Sequence, residues 1–505
     1  MILTYPGHSE ILIEITNDSG TPVRILSDVW LSSHAFGDML ARNPLLTLDF
    51  AKFPHLNAIF ITHPHCDHFD PYSLVELYRH QRPAILLPET SLFLRPLLDE
   101  FLHKPDIFIL KHGEGCRLFG INFIGWNFSN TYYTNEDDVM TLAAFTKREF
   151  LFLEADTALP FTEEARNSVF EAMSRHSFDH RLYVVTRNEL EALYLSYDAK
   201  NSADRSEKIH EYRKKRKLEM YAEIEFADEM EDIPDIWSLP NTFKLFTGQG
   251  MIFCPEIDPA YLNISAPFPL KEVAGEEARI AKKLGRNFRC LTLEPGNEYA
   301  FSGGSWKEKK SQVLDGALHR YPVDFKGITE ISKKETVRPV RNVPGDIHSE
   351  EFRILRIINE RFLPYQLSNL EDPLKAAIVA NADRRYCIEI RYGTKANYES
   401  RFYSFGFGDF AFQNSESHHS DEVYWANDLI DFLEGRQDVF TTTIHTFFEG
   451  KKYRLWSFLG MPFYNSDLVY NKIKFHFERA AAGRTVKDWV LETVREKLEI
   501  KKPDA

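Results

Sequence analysis

The chain is poor in cysteine, and what it has is not arranged for pairing. Cys66, Cys116, Cys254, Cys290 and Cys387 are the five cysteines among 505 residues. They are odd in number and far apart, and none forms a Cys-x-x-Cys. That excludes a disulfide framework and reads as reduced thiols. Positive charge is also short: 61 Lys and Arg face 75 Asp and Glu, a net charge of −14. Nucleic-acid binding needs a basic face to neutralise phosphates, so that class is excluded, whereas a local basic pocket for an anionic substrate is not. No window approaches the roughly 18 uninterrupted apolar residues of a membrane span. The opening "MILTYPGHSEILIEI" lacks a basic stretch followed by a long apolar one. No secretory signal is expected, and the expected address is the cytoplasm.

What is present is ordinary for a globular chain, with 43% hydrophobic and 27% charged residues. The length implies two or three domains. An aromatic share of 14%, with 40 Phe, predicts thick cores or an apolar pocket. β-branched and aromatic runs at 11–15, 23–30, 58–63, 84–88, 107–113, 121–128, 140–146 and 149–156 predict strands, and helical patterns fall at 71–80 and 90–103. Many strands with few interleaved helices predict an α/β protein of layered sheets covered by helices. Residues 160–235 read as mostly helical. In them Arg213, Lys214, Lys215, Arg216 and Lys217 lie among acids as a solvated helix face, and His176 and His180 share a surface helix face at i, i+4. Residues 240–330 read as short strands and loops. The pattern restarts near 346 and closes on an amphipathic helix at 483–499. The expected division is 1–270, a connecting segment of strands and loops at 271–345, and a second domain at 346–505.

The stretch "AIFITHPHCDHFD" needs an explanation. Buried imidazoles and carboxylates cost free energy unless partnered, yet three histidines and two aspartates occupy residues 63–70 directly after an apolar strand. His63 and His65 are two apart and point the same way in extended chain. Asp67 and His68 follow where the chain turns, so they can face the same point from another side. Imidazole and carboxylate together suit Zn²⁺ or Fe²⁺. A hydrogen-bonded surface turn, the alternative, does not explain four ligand-type residues in six positions. Cys66 occupies a variable position of the pattern and reads as a packing residue.

HxHxDH after an apolar strand is the signature of the metallo-β-lactamase fold, and the chain resembles that superfamily. "GHSEILIEI" with "ILSDVW" resembles the start of the branch that holds ascorbate-phosphate lactonases and N-acyl-phosphatidylethanolamine phospholipase D. "SDVWLSSHAFGDML", followed in order by "TFKLFTGQGMIFCPE", "LTLEPGNEYAF" and "DLIDFLEG", is most similar to the metallo-β-lactamase-like part of the CMP-N-acetylneuraminate hydroxylase family. The resemblance implies a metallo-β-lactamase αββα sandwich over residues 1–270, with an additional C-terminal α+β domain for substrate binding or dimerisation. It implies metal ligands at His63 and His65 for one site, Asp67 and His68 for a second, and Asp156 in "FLFLEADT" bridging both. It also assigns His8 and Asp28 to orienting those ligands. Two expected histidines are absent. "NTYYTNEDDVM" offers Asn135 nearest the first position, with Glu136, Asp137 and Asp138 as oxygen donors or simply a solvated acidic turn. The stretch 245–258 offers Glu256 and Asp258 for the second.

The resemblance therefore implies one or two zinc or iron ions per chain and a metal-dependent hydrolase of an ester, lactone, amide or phosphodiester. In it Asp67 orients a metal-bound hydroxide. Two other classes stay open. One is an iron-dependent oxygenase, favoured by a carboxylate-rich site. It requires an external electron donor, because no cysteine precedes residue 63 to build the Rieske centre of the hydroxylase family. The other is a non-catalytic binding protein on a degenerate site. The partners that follow are a small-molecule substrate, anionic or nucleotide-linked among the options, no nucleic acid, no membrane span, and a homodimer as one use of the C-terminal domain.

Overall fold

The structure, a computed structural model, describes residues 1–32, 40–42, 46–127, 139–154, 163–186, 236–248, 251–253, 270–286, 289–302, 304–315, 317–320, 346–364, 380, 382–383, 385–394, 397–406, 408–434 and 466–484. Asn135, Glu136, Asp137, Asp138, Asp156, Glu256, Asp258 and the basic cluster at 213–217 lie outside the described residues, as does the closing helix apart from residues 483 and 484.

In chain order the elements begin with β1 (Ile2–Gly7), β2 (Glu10–Thr16), β3 (Pro22–Ser27), β4 (Leu40–Arg42), β5 (Leu46–Leu48), β6 (Ala58–Phe60), α1 (Pro71–His80), β7 (Ala84–Pro88), α2 (Arg95–Phe101) and β8 (Ile107–Leu110). Next come β9 (Gly115–Leu118), β10 (Ile121–Asn127), β11 (Met140–Phe145), β12 (Glu149–Glu154), α3 (Glu163–Ser174), β13 (His180–Thr186), β14 (Thr242–Thr247), β15 (Met251–Phe253) and α4 (Leu270–Lys283). Then follow β16 (Arg289–Thr292), β17 (Asn297–Ser302), β18 (Ser305–Lys310) and β19 (Leu318–Arg320).

Two sheets carry the architecture. One runs β18-β17-β1-β2-β3-β6-β7-β8 and the other β16-β14-β13-β12-β11-β10-β9. Each starts antiparallel and turns parallel: β3, β6, β7 and β8 are mutually parallel in the first sheet. In the second, β12, β13, β14 and β16 are. Parallel neighbours need crossovers, which α1, α2, α3 and α4 supply. The strands β6 and β7 are buried throughout, which is why "AIF" and "AILLP" read as continuous apolar runs.

Three apolar layers result. Leu3, Ile13 and Phe60 of the first sheet meet Phe123, Leu142 and Leu182 of the second in a shared core. On the far face of the first sheet, Ile59 and Ile85 pack against Leu74 of α1 and Leu97 of α2. Beyond the second sheet, Phe152 and Tyr183 pack against Val169 of α3 and Ile280 of α4. The order is α, β, β, α, the sandwich implied by the sequence.

Several sequence expectations need correction. "HRLYVVT", inside the stretch read as helical, is the buried strand β13. Residues 271–320 are more than a connection, because β16 extends the second sheet and β17 with β18 the first. "LKEVAGEEARIAKK" there is the helix α4. A separate α+β unit does follow. In it α5 (Ile347–Ile357), β20 (Arg385–Thr394), β21 (Asn397–Gly406), β22 (Phe412–Asn414), β23 (Glu422–Trp425) and α6 (Ala426–Leu433) surround their own core, including Ile354, Ile390, Tyr403 and Leu429. The last described helix, α7 (Ser466–Ala481), returns to the sandwich, where Ile473, Phe477 and Ala480 join the outer core of the first sheet. Among the described residues no helix is long and apolar enough to cross a membrane.

His180 also departs from expectation. Helix α3 ends at Ser174, so His176 and His180 do not share a helix face, and His180 is 2% exposed. Its ring lies 4.3 Å from that of Phe301 and 5.5 Å from that of Trp306, centroid to centroid. Burial above all, with the Met1 ammonium adding, pushes its pKa down from 6.5 to about 4. Between those two values the unfolded chain binds a proton that the folded chain refuses. Stability therefore falls as pH drops through that window, by up to about 3 kcal/mol. Denaturant unfolding of the wild type and His180→Phe at pH 7 and pH 4.5 checks this: the variant should lose less stability on acidification.

Candidate metal centre

The sheet topology brings distant parts of the sequence to one edge. Because β2 is antiparallel to both β1 and β3, β1 and β3 run the same way, and β6 runs with them. The residues that follow these strands, His8, Asp28 and Thr62, therefore emerge together at the carboxyl ends, where open α/β sheets place their ligands. A register shift in β1 between Thr4 and Gly7 re-aims the chain just before His8. His8 and Asp28 have left-handed backbones, with φ of 44° and 58°, a conformation that costs energy in non-glycine residues and recurs at functional sites. The second sheet reaches the same edge: the Gly248 N–H, just past β14, donates to the His8 carbonyl at 2.8 Å.

Four of the expected ligands gather here. His63 and His68 are fully buried, Asp67 is nearly so, and His65 sits half-buried at the rim. His63 Nε2 and His65 Nδ1 face each other at 2.8 Å, and His68 Nε2 lies 3.8 Å from Asp67 Oδ2. Behind them stands a network. Asp28 Oδ1 accepts from the Thr62 N–H at 2.9 Å and the Thr62 hydroxyl at 2.8 Å. Asp28 Oδ2 accepts from His68 Nδ1–H at 2.8 Å. Having given its proton to Asp28, the Thr62 oxygen accepts from His63 Nδ1–H at 2.9 Å. One carboxylate thus fixes both tautomers and leaves Nε2 of His63 and His68 unprotonated, the form a metal-binding histidine requires. His8 Nε2 lies 3.3 Å from Asp67 Oδ2, and the Ser9 hydroxyl donates to the Asp67 carbonyl at 2.8 Å.

Electrostatics agree with this donor set. Burial first, then the neighbouring His68 and His65, holds the His63 pKa well below its ordinary value, so the ring is neutral. Burial acts to raise the Asp67 pKa, but His68, His8 and His65 outweigh it and keep the group a carboxylate. A neutral His63 beside an anionic Asp67 is a pair of protonation states that a divalent ion requires, and these donor types fit zinc or iron. Among the described residues, however, no group of three or more such side chains is arranged to hold an ion by itself. At 2.8 Å one proton bridges His63 Nε2 and His65 Nδ1, whereas two nitrogens on one tetrahedral ion stand about 3.4 Å apart.

The remaining residues of the motif are structural. Asp70 caps α1, accepting from the backbone N–H groups of Tyr72 and Ser73, and Pro71 occupies the first helical position. Cys66 packs against the outer core. Sequence reasoning missed Thr62 and Ser9. A hydroxyl directly preceding the first ligand, at the end of a strand, was the available signal for Thr62.

No protein-family model and no curated protein matches the chain. Among solved structures it is similar to CmlA, a diiron β-hydroxylase from Streptomyces venezuelae, with a TM-score of 0.34 and 13% identity over 61% of this chain and 54% of that one. The match therefore spans about half the length of CmlA. It is also similar to a diphosphatase from the PhnP family, with a TM-score of 0.29 and 13% identity over 60% of this chain and 98% of that one. A third is the class B3 di-zinc metallo-β-lactamase LRA-12 from an Alaskan soil metagenome, with a TM-score of 0.21 and 11% identity over 42% of this chain and 91% of that one. Two mixed sheets between helical layers, with HxHxDH leaving β6 at their common carboxyl edge, give this chain an αββα sandwich of the kind its resemblance to the metallo-β-lactamase superfamily implies.

Proposed function

We propose that the chain is a metal-dependent hydrolase of a small-molecule ester, lactone, amide or phosphodiester. The observation that carries this reading is the convergence of His63, His65, Asp67 and His68 on one edge, with Thr62 and Asp28 fixing the tautomers of His63 and His68. Those four residues, with Asp156, would hold one or two zinc or iron ions. A bound divalent ion acidifies water and polarises a carbonyl or phosphoryl oxygen. Asp67 accepts a hydrogen bond from the attacking water and directs it at the substrate. The pressure of His68, His8 and His65 on its pKa keeps it ready as an acceptor. His65, at the rim, faces the entering substrate.

The test is a panel of p-nitrophenyl esters, a lactone, an anilide and bis(p-nitrophenyl) phosphate, assayed before and after chelation. Hydrolysis of at least one class, lost on chelation and regained with zinc or iron, is expected. Chelator-insensitive hydrolysis, or none with the protein fully loaded, would contradict the reading. A second reading, an iron-dependent oxygenase with an external electron donor, is favoured by the acids Glu136, Asp137, Asp138, Glu256 and Asp258 where histidines are expected. Its mark would be oxygen uptake that depends on iron and an added reductant.

A further inference from the structure

Helix α7 (Ser466–Ala481) packs against the site from behind. Helix α7 lies on α1 and α2, and Phe477 is the residue that reaches the metal loop. Its ring stacks on Phe101 with centroids 5.2 Å apart and planes 9° from parallel. It also meets Phe69 edge-on at 6.0 Å. Phe69 is fully buried and directly follows His68. One turn earlier in the chain's path, the N–H groups of His68 and Phe69 both donate to the His65 carbonyl, at 3.0 and 2.8 Å. This is the turn that sets His65 and His68 relative to each other. The neighbouring His476 is 1% exposed and hydrogen-bonded through Nδ1 to the Tyr72 hydroxyl at 2.9 Å, across 404 residues of sequence. Tyr72 lies in the first turn of α1, two residues after the capping Asp70. A third tie comes from Arg79, which donates to the Ala480 carbonyl at 3.2 Å.

We propose that α7 is the positioning element of the metal loop, with Phe477 and His476 as its positioning residues. Phe477 holds Phe69 in the core and so fixes the His65–His68 turn. The His476–Tyr72 bond fixes the first turn of α1, into which that loop runs. The consequence for function rests on the metal reading above, but the ordering of the loop does not. In an αββα sandwich the first helices alone could cover the first sheet. Here a helix from the far end of the chain supplies the support, so segments far apart in sequence must both be in place before the ligands are set.

Hydrogen–deuterium exchange on the metal-free protein tests the ordering directly. In Phe477→Ala the amides of His68 and Phe69 should exchange roughly tenfold faster or more, while those of β12 in the second sheet keep wild-type protection. Phe477→Tyr should restore protection. Exchange at His68 and Phe69 unchanged in Phe477→Ala would overturn the proposal, as would acceleration spread equally over both sheets. If Phe477→Ala does not fold, Tyr72→Phe decides by the same amides. It removes the hydroxyl that meets His476 Nδ1 at 2.9 Å, so the amides of His68 and Phe69 should again exchange faster. Unchanged exchange in Tyr72→Phe would sink the proposal. Zinc titration of the same variants separates the two readings: a wild type that binds no ion removes the metal reading alone, whereas the exchange data judge α7.

Discussion

Replacing His65 with alanine should lower bound metal at least a hundredfold in affinity while leaving the folded protein nearly as stable. Structural zinc sites contribute about 10–16 kcal/mol over four ligands, so one ligand accounts for about 3 kcal/mol, a factor of about a hundred. The stability cost is small because His65 is half-buried at the rim and belongs to none of the three apolar layers. Substitutions at such positions typically change stability by about 0.5 kcal/mol. Competition with a chelator gives the affinity, and thermal unfolding of the metal-free protein gives the stability. Unchanged affinity would remove His65 from the centre. A collapse of the metal-free fold would show that His65 acts on structure instead.

Asp28→Asn should do comparable damage by a different route. The left-handed backbone at φ 58° suits asparagine as well as aspartate, so the chain path survives and the charge alone is removed. Asp28 receives three hydrogen bonds, two from Thr62 and one from His68 Nδ1. An amide can accept the Thr62 pair only by turning its NH₂ towards His68. Nδ1 must then accept, the proton moves to Nε2, and the ligating lone pair is lost. Turned the other way, the amide leaves Thr62 donors unsatisfied in a buried site, at about 1–3 kcal/mol. Supporting residues of this kind change metal affinity by about 10–100-fold. Nitrogen-15 NMR of the metal-free variant should show the His68 proton on Nε2. A proton still on Nδ1, with wild-type metal affinity, would refute the tautomer argument.

How much of this was legible in the sequence differs by element. β-branched runs located five of the eight strands of the first sheet and three of the seven of the second, and "AILLP" and "MTLAAF" were read almost to their ends, because buried strands leave an unmixed apolar pattern. Strand β13 was lost among helical neighbours, since "HRLYVVT" is short and its burial comes from β12 and β14 on either side. Strand β18 was not separable from loop, because "SWKEKK" is a charged edge strand that only pairing with β17 reveals. At the site, the HxHxDH spacing pointed to a cluster of His63, His65, Asp67 and His68, which chain geometry alone brings close. Thr62 passed as an ordinary strand residue, and its bonds to Asp28 and His63 depend on β3 and β6 lying side by side. The return of α7 to the first sheet was invisible, since nothing in "SDLVYNKIKFHFERAA" names a partner 404 residues away.

The central claim is that this edge of the sandwich is a metal centre. Elemental analysis of anaerobically purified protein, wild type beside a variant carrying His63→Ala and His65→Ala, tests it most directly. One or two zinc or iron ions per wild-type chain, falling by at least one in the variant, is the predicted result. A wild type without stoichiometric metal, or a variant that retains it in full, would contradict the account.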